Sequence, residues 1–136
     1  MTLSFNDFQK QDINFDIKKL KSAYSQLLKI KEYTGVSGVS NFNAISLTQI
    51  PGDPDSIKGN KARGVFWTKP DQSGKEVIRD EIIKESSYSE FIKDYEETYF
   101  KHVFDVLNSK YKLGRVRILL KEPRTTLSWH RDPEPR

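Results

Sequence analysis

Apolar residues recur at steps of three and four along DIKKLKSAYSQLLKIKEY, residues 16–33, where Ile17, Leu20, Tyr24, Leu27 and Leu28 form one stripe. That period predicts an amphipathic helix. Asp16 offers a cap for its start and Gly35 a stop beyond its end. TGVSGVSNFN follows, rich in Gly, Ser and Asn, and reads as a connector. It has neither the GxGxxG nor the P-loop spacing that a phosphate cradle needs. The period then shortens to two. In NAISLTQI, Ile45 and Leu47 alternate with Ser46 and Thr48, which predicts a strand with one apolar and one polar face. PGDPDSIKGNKARG reads as a long turn region, and VFWT as a short buried strand.

SYSE, at Ser87 to Glu90, has the spacing of a capping box. Tyr88, Ile92, Tyr95, Tyr99, Val103, Val106 and Leu107 continue at helical spacing, predicting a second helix of about six turns that begins at the cap. His102 falls inside it, beside the stripe, where a histidine is expected to be structural. From Gly114 the period returns to two: in GRVRILLK, Val116, Ile118 and Leu120 alternate with Arg115 and Arg117. EPRT is a turn, and TLSWHRD alternates again, so these two stretches are expected to pair antiparallel. With helices early and strands late, the pattern predicts an α+β fold whose sheet is only begun.

Composition changes this picture little. At 136 residues the chain has the length of a single domain, 1–136, with an N-terminal helical region over 1–42. Apolar residues make up 35%, charged residues 31% and aromatics 12%, and the aromatic share argues for a packed core rather than disorder. There is no cysteine, which excludes disulfides, thiolate metal sites and thiol nucleophiles. No apolar run is long enough to span a membrane, and the first residues lack the apolar core of a signal peptide; the expectation is a soluble cytoplasmic protein without a membrane partner. The net charge is +4. Lysines lie beside acids in RDEIIKES and EFIKDYEE, the pattern of a solvated mixed-charge surface.

Candidate chemistry gathers at the C-terminal end, in LSWHRDPEPR. Residues two apart on a strand share a face, so Ser128, His130 and Asp132 point one way and Leu127, Trp129 and Arg131 the other. An imidazole and a carboxylate so placed suit a borderline divalent ion such as iron(II). Pro133 ends regular pairing just after Asp132, which puts the pair at a strand end. The plain competing reading is a surface histidine–aspartate contact. Asp53 and Asp55 hint at calcium, but the other ligands of an EF-hand loop are missing.

The stretch GRVRILLKEPRTTLSWHRDPEPR resembles the iron(II)- and 2-oxoglutarate-dependent dioxygenases, within them the aspartyl/asparaginyl β-hydroxylase-like group; GNKARGVFWTKPD and ETYFKHVFDVLNSKYKLGR are similar to the same group's lead-in. The resemblance covers residues 43–136, read as the start of a dioxygenase-like domain. It implies the N-terminal part of a double-stranded β-helix, a jelly roll with flanking helices and an incomplete barrel. It implies Fe(II) and 2-oxoglutarate as cofactors, His130 and Asp132 as metal ligands, and hydroxylation of a small-molecule or peptide substrate with release of succinate. The family also uses a distal histidine and a basic residue that holds the far carboxylate of 2-oxoglutarate, both downstream of anything in these residues. Arg136 is the candidate for that carboxylate here, since a guanidinium fork suits one. The 136 residues alone are accordingly expected to bind iron poorly and to turn over little or nothing, and an incomplete barrel leaves an open sheet edge that invites self-association.

Two other readings compete. In the first, the domain binds nucleic acid, with Arg115, Arg117, Arg124 and Arg131 on phosphates and Trp67 or Trp129 stacking on bases. In the second, it is a non-catalytic interaction module built on the partial fold.

Overall fold

The computed structural model describes residues 10–35, 42–60, 66–68, 76–78, 83–121 and 123. Among them lie two α-helices, α1 (Ile17–Ile30) and α2 (Tyr99–Lys110). Seven short strands accompany them: β1 (Thr34–Gly35), β2 (Phe42–Ser46), β3 (Thr48–Gln49), β4 (Phe66–Thr68), β5 (Glu76–Ile78), β6 (Glu90–Phe91) and β7 (Arg117–Lys121). The architecture is α+β with small antiparallel sheets, none of them closed. Strands do not gather late, as the sequence pattern suggests; β1 to β3 follow α1 directly, and β2 pairs with β7 across the intervening chain.

Asp16 caps α1 as its residue type demands. Its carboxylate accepts the Lys19 backbone N–H at 3.1 Å, and its carbonyl accepts that of Leu20 at 2.9 Å. Of the expected stripe, Leu27 is completely buried and Leu20 and Tyr24 pack against the core with Ala23 beside them, whereas Ile17 and Leu28 stay exposed. The helix stops at Ile30, before Gly35, because Lys31 turns extended while its N–H still reaches the Leu27 carbonyl. Gly35 is not a helix cap; Thr34 and Gly35 pair with Ala44 and Asn43. A Tyr24–Tyr33 hydroxyl contact of 2.9 Å holds this exit against the helix. Burial, then the bond to Tyr24, raises the Tyr33 pKa well above the usual phenol range.

Strand β2 pairs with β7 in the register Ala44 to Leu119, Ile45 to Ile118 and Ser46 to Arg117. Alternation of buried and exposed positions fails here: Ala44, Ile45, Ser46, Leu47 and Thr48 are all buried. The cause lies at Leu47, where the chain leaves one sheet for another. The Leu47 N–H donates to the Val116 carbonyl at 2.8 Å, while the Leu47 carbonyl accepts from Ile92 at 2.9 Å. Beyond it, β3 pairs with β6. Thr48, fully buried, uses its hydroxyl as a ladder rung, accepting the Val116 N–H at 2.8 Å and donating to the Gly114 carbonyl at 3.3 Å. Ser46 donates to the Thr48 carbonyl at 2.7 Å. A segment enclosed on both sides keeps its polar atoms only because each finds such a partner.

The second helix begins eleven residues later than the capping-box spacing suggests. Ser87 ends a 3-10 turn (Glu85–Ser87), Glu90 and Phe91 form β6, and a further 3-10 turn (Lys93–Tyr95) precedes the start of α2 at Tyr99. Glu90 does not reach back to its cap. Its carboxylate takes the Gln49 side-chain amide at 2.9 Å and the Gly52 N–H at 3.0 Å. Tertiary pairing of β6 with β3 overrides the local helical pattern.

One core joins the parts. Ala23 and Leu27 of α1 meet Ile45, Leu47, Phe91, Ile92 and Tyr95 together with Phe100 and Phe104 of α2, and Val116 and Ile118 pack against the same cluster. The Asp16 N–H donates to the Tyr99 hydroxyl at 3.1 Å, tying the start of α1 to that of α2. Leu120, expected on the core side with Val116 and Ile118, is exposed, as is Leu119. Strand β4 pairs with β5 as a separate hairpin; the strand over Glu76–Ile78 carries too few apolar residues to be visible as a period.

Candidate functional site

The approach to the candidate metal pair starts at Gly114. A Cβ there would lie 2.6 Å from the Glu85 carbonyl oxygen and 3.1 Å from the Ser86 Cα, so only glycine lets the chain pass the 3-10 turn so closely. Val116 and Ile118 then face the core, and Arg115 and Arg117 take the alternate positions. β7 ends at Lys121, and Pro123 lies in a turn. His130, Asp132 and Arg136, the residues assigned to the metal and to 2-oxoglutarate, lie outside the described residues. So does the expected pairing of TLSWHRD with β7. Among the described residues, no group of three His, Cys, Asp or Glu side chains could hold a metal ion.

The other histidine is placed. His102 sits on α2, exposed, with its ring stacked on Tyr99 at 5.1 Å and edge-on to Phe15 at 6.5 Å. It packs the start of α2 against the residues leading into α1, a structural role. Asp53 and Asp55 support their own turn. The Asp53 carboxylate accepts the Asp55 N–H at 3.2 Å, and Asp55 pairs with Lys58 at 2.9 Å.

The two arginines of the β7 approach are not displayed to solvent as phosphate ligands would be. Arg115 has a side chain only 3% exposed, and its Nε and Nη2 both donate to one carboxylate oxygen of Glu85, with the Nε bond at 3.0 Å. Its guanidinium lies 5.7 Å over the Tyr88 ring, whose hydroxyl donates to the Ser56 carbonyl at 3.0 Å. Arg117 is half-buried, and burial, then the neighbouring Arg115 charge, lowers its pKa to about 10 against the opposing pull of Glu85. Arg115 therefore clamps the 3-10 turn to the root of β7. The phosphate-binding role expected of it in the nucleic-acid reading is corrected: its charge is spent on Glu85. Glu85 was not legible as its partner, being thirty residues distant and set in a mixed-charge stretch. Trp67 stands on β4, while Arg124, Trp129 and Arg131 lie outside the described residues.

Among the described residues, a cleft of about 480 Å³ opens between the turn after β3 and α2, bordered by Gln49, Gly52, Glu90, Lys93, Glu96 and Lys101. Two of its charged groups, Glu90 and Lys101, are committed to neighbours. Glu90 is held below the usual carboxylate range by its bonds to Gln49 and Gly52, and Lys101 pairs with Asp105 at 2.6 Å while its ammonium covers the Phe91 and Phe104 rings at 5.7 and 5.6 Å. Gly52 adopts φ +71°, the left-handed conformation that presents its N–H to Glu90. No helix among the described residues is long and apolar enough to cross a membrane. No protein-family model, curated protein or solved structure matches the chain.

Proposed function

We propose that the chain is part of an iron(II)- and 2-oxoglutarate-dependent oxygenase, with His130 and Asp132 as two of the metal's ligands. The observation that carries this reading is the sequence from Gly114 to Arg136, in which a strand, a turn and an alternating stretch lead to His-x-Asp and a proline stop. The antiparallel β2–β7 ladder, with helices packed on its core side, is compatible with the opening strands of a double-stranded β-helix. The donors fit the metal: one imidazole nitrogen and one carboxylate oxygen suit iron(II), which takes a third protein ligand in this class of site. His102 precedes β7 and lies on α2 with its ring stacked on Tyr99, which makes it a poor substitute for that third ligand.

Bound iron and 2-oxoglutarate would supply the oxidising chemistry, and this chain's residues would hold and orient them. The test is an anaerobic titration of the chain with iron(II) or cobalt(II), with and without 2-oxoglutarate. Binding that is lost in His130→Ala and Asp132→Ala and kept in His102→Ala supports the assignment. Metal binding indifferent to both substitutions defeats it.

A further inference from the structure

One helix carries a run of lysines with no acid among them. Residues 17–31 hold five of the 23 basic side chains and none of the 19 acidic ones, so the rest of the chain nets −1 against a total of +4. The five are Lys18, Lys19, Lys21, Lys29 and Lys31, all exposed. Asp16, the nearest acid upstream, is engaged as the cap of α1, and Glu32 lies beyond the helix end. The mixed-charge pattern of RDEIIKES and EFIKDYEE does not extend to α1.

The same helix keeps apolar side chains in water. Ile17 is 62% and Leu28 42% exposed, although Ala23 and Leu27 of the same helix are buried. Eleven residues apart, Ile17 and Leu28 fall within about 20° of each other and about 16 Å apart along the axis. Lys21, Lys18 and Lys29 occupy roughly the next 100° of the helix surface, on the side away from the core. The outer face of α1 is thus an apolar edge running beside a lysine row.

We propose that this face of α1 docks the protein onto an anionic lipid bilayer surface. Helices that lie in a membrane interface combine a lysine-bearing face with apolar side chains that enter the headgroup boundary. Lying on a bilayer needs no spanning helix. A nucleic-acid partner would satisfy the lysines but leave Ile17 and Leu28 in water, and the patch contains no arginine for bidentate phosphate contacts. A second copy of the chain would set lysine against lysine. Protein interfaces in general are depleted in lysine, whose strongly hydrated ammonium resists desolvation, whereas a charged membrane attracts it without stripping its water.

The test is co-sedimentation of the 136-residue chain with phosphatidylcholine vesicles, with and without phosphatidylserine. Each lysine near an anionic surface contributes about a fivefold gain in affinity, so Lys18→Gln/Lys21→Gln/Lys29→Gln is expected to lower binding on the order of a hundredfold. Ile17→Gln/Leu28→Gln is expected to lower it about tenfold. All five positions are exposed, and far-UV circular dichroism with a thermal midpoint confirms that each variant folds. Binding that requires phosphatidylserine, weakens with salt and falls in both variants supports the proposal. Equal binding to neutral vesicles, no binding to either, or binding unchanged in the triple variant overturns it, as does tighter binding to duplex DNA that displaces the vesicles.

Discussion

Thr48 carries more than its size suggests. It is fully buried, and its hydroxyl replaces a backbone partner at the point where two sheets separate. Thr48→Val keeps the shape but leaves the Val116 N–H without its acceptor, and an unsatisfied buried donor costs about 1–3 kcal/mol. Urea denaturation should show that loss in the midpoint, with an unchanged slope. Gly114 is the second such position. Gly114→Ala forces a methyl against the Glu85 carbonyl and is expected to cost about 1–3 kcal/mol as the backbone shifts. Glu90 makes the acid response predictable in sign. Its folded pKa lies below the ordinary 4.5, so the stability it contributes is fully present above that value and fades as pH falls through the lowered one. The difference in urea midpoint between the protein and Glu90→Gln should be constant from neutral pH down to that range and then close.

At the level of elements, the two helices differ in what announces them. α1 is written locally: a cap, a stripe and the absence of internal Gly or Pro all lie within its own stretch. The start of α2 is not, because the residues that decide it are far away. Glu90 has the right spacing from Ser87 for a capping box, yet its carboxylate is taken by Gln49 and Gly52, and Phe91 is taken by Thr48 across the β3–β6 ladder. A paired substitution separates the two cases. Asp16→Ala should cost about 1 kcal/mol through loss of a working cap, while Ser87→Ala should change the thermal midpoint little, since Ser87 caps no helix. The strand period in GRVRILLK was legible from Val116 and Ile118, which face the core; it failed at Leu120, which the fold leaves exposed. The continuous burial of Ala44 to Thr48 was not legible, because alternation assumes one wet face and this segment has none. The candidate site was legible as a motif alone: His130 and Asp132 two apart, with Pro133 behind them. The clamp of Arg115 on Glu85 was invisible, since nothing in a sequence of mixed charge says which acid meets which base.

Across the whole molecule, both helices and the β2–β7 ladder close on one core, so the boundary between an N-terminal helical region and the later strands is not a boundary in packing. Leu47 sits where the sheets part, its N–H held by one and its carbonyl by the other. No local opening can free one side without straining the other. The consequence belongs to exchange with solvent deuterium: the amides of Leu47, Val116 and Ile92 should exchange together, at the slow rate set by global unfolding, while those of the β4–β5 hairpin exchange sooner. Native-state mass spectrometry or NMR would read this directly, and a Leu47 amide that exchanges well ahead of Ile92 would mean that the two sheets breathe separately.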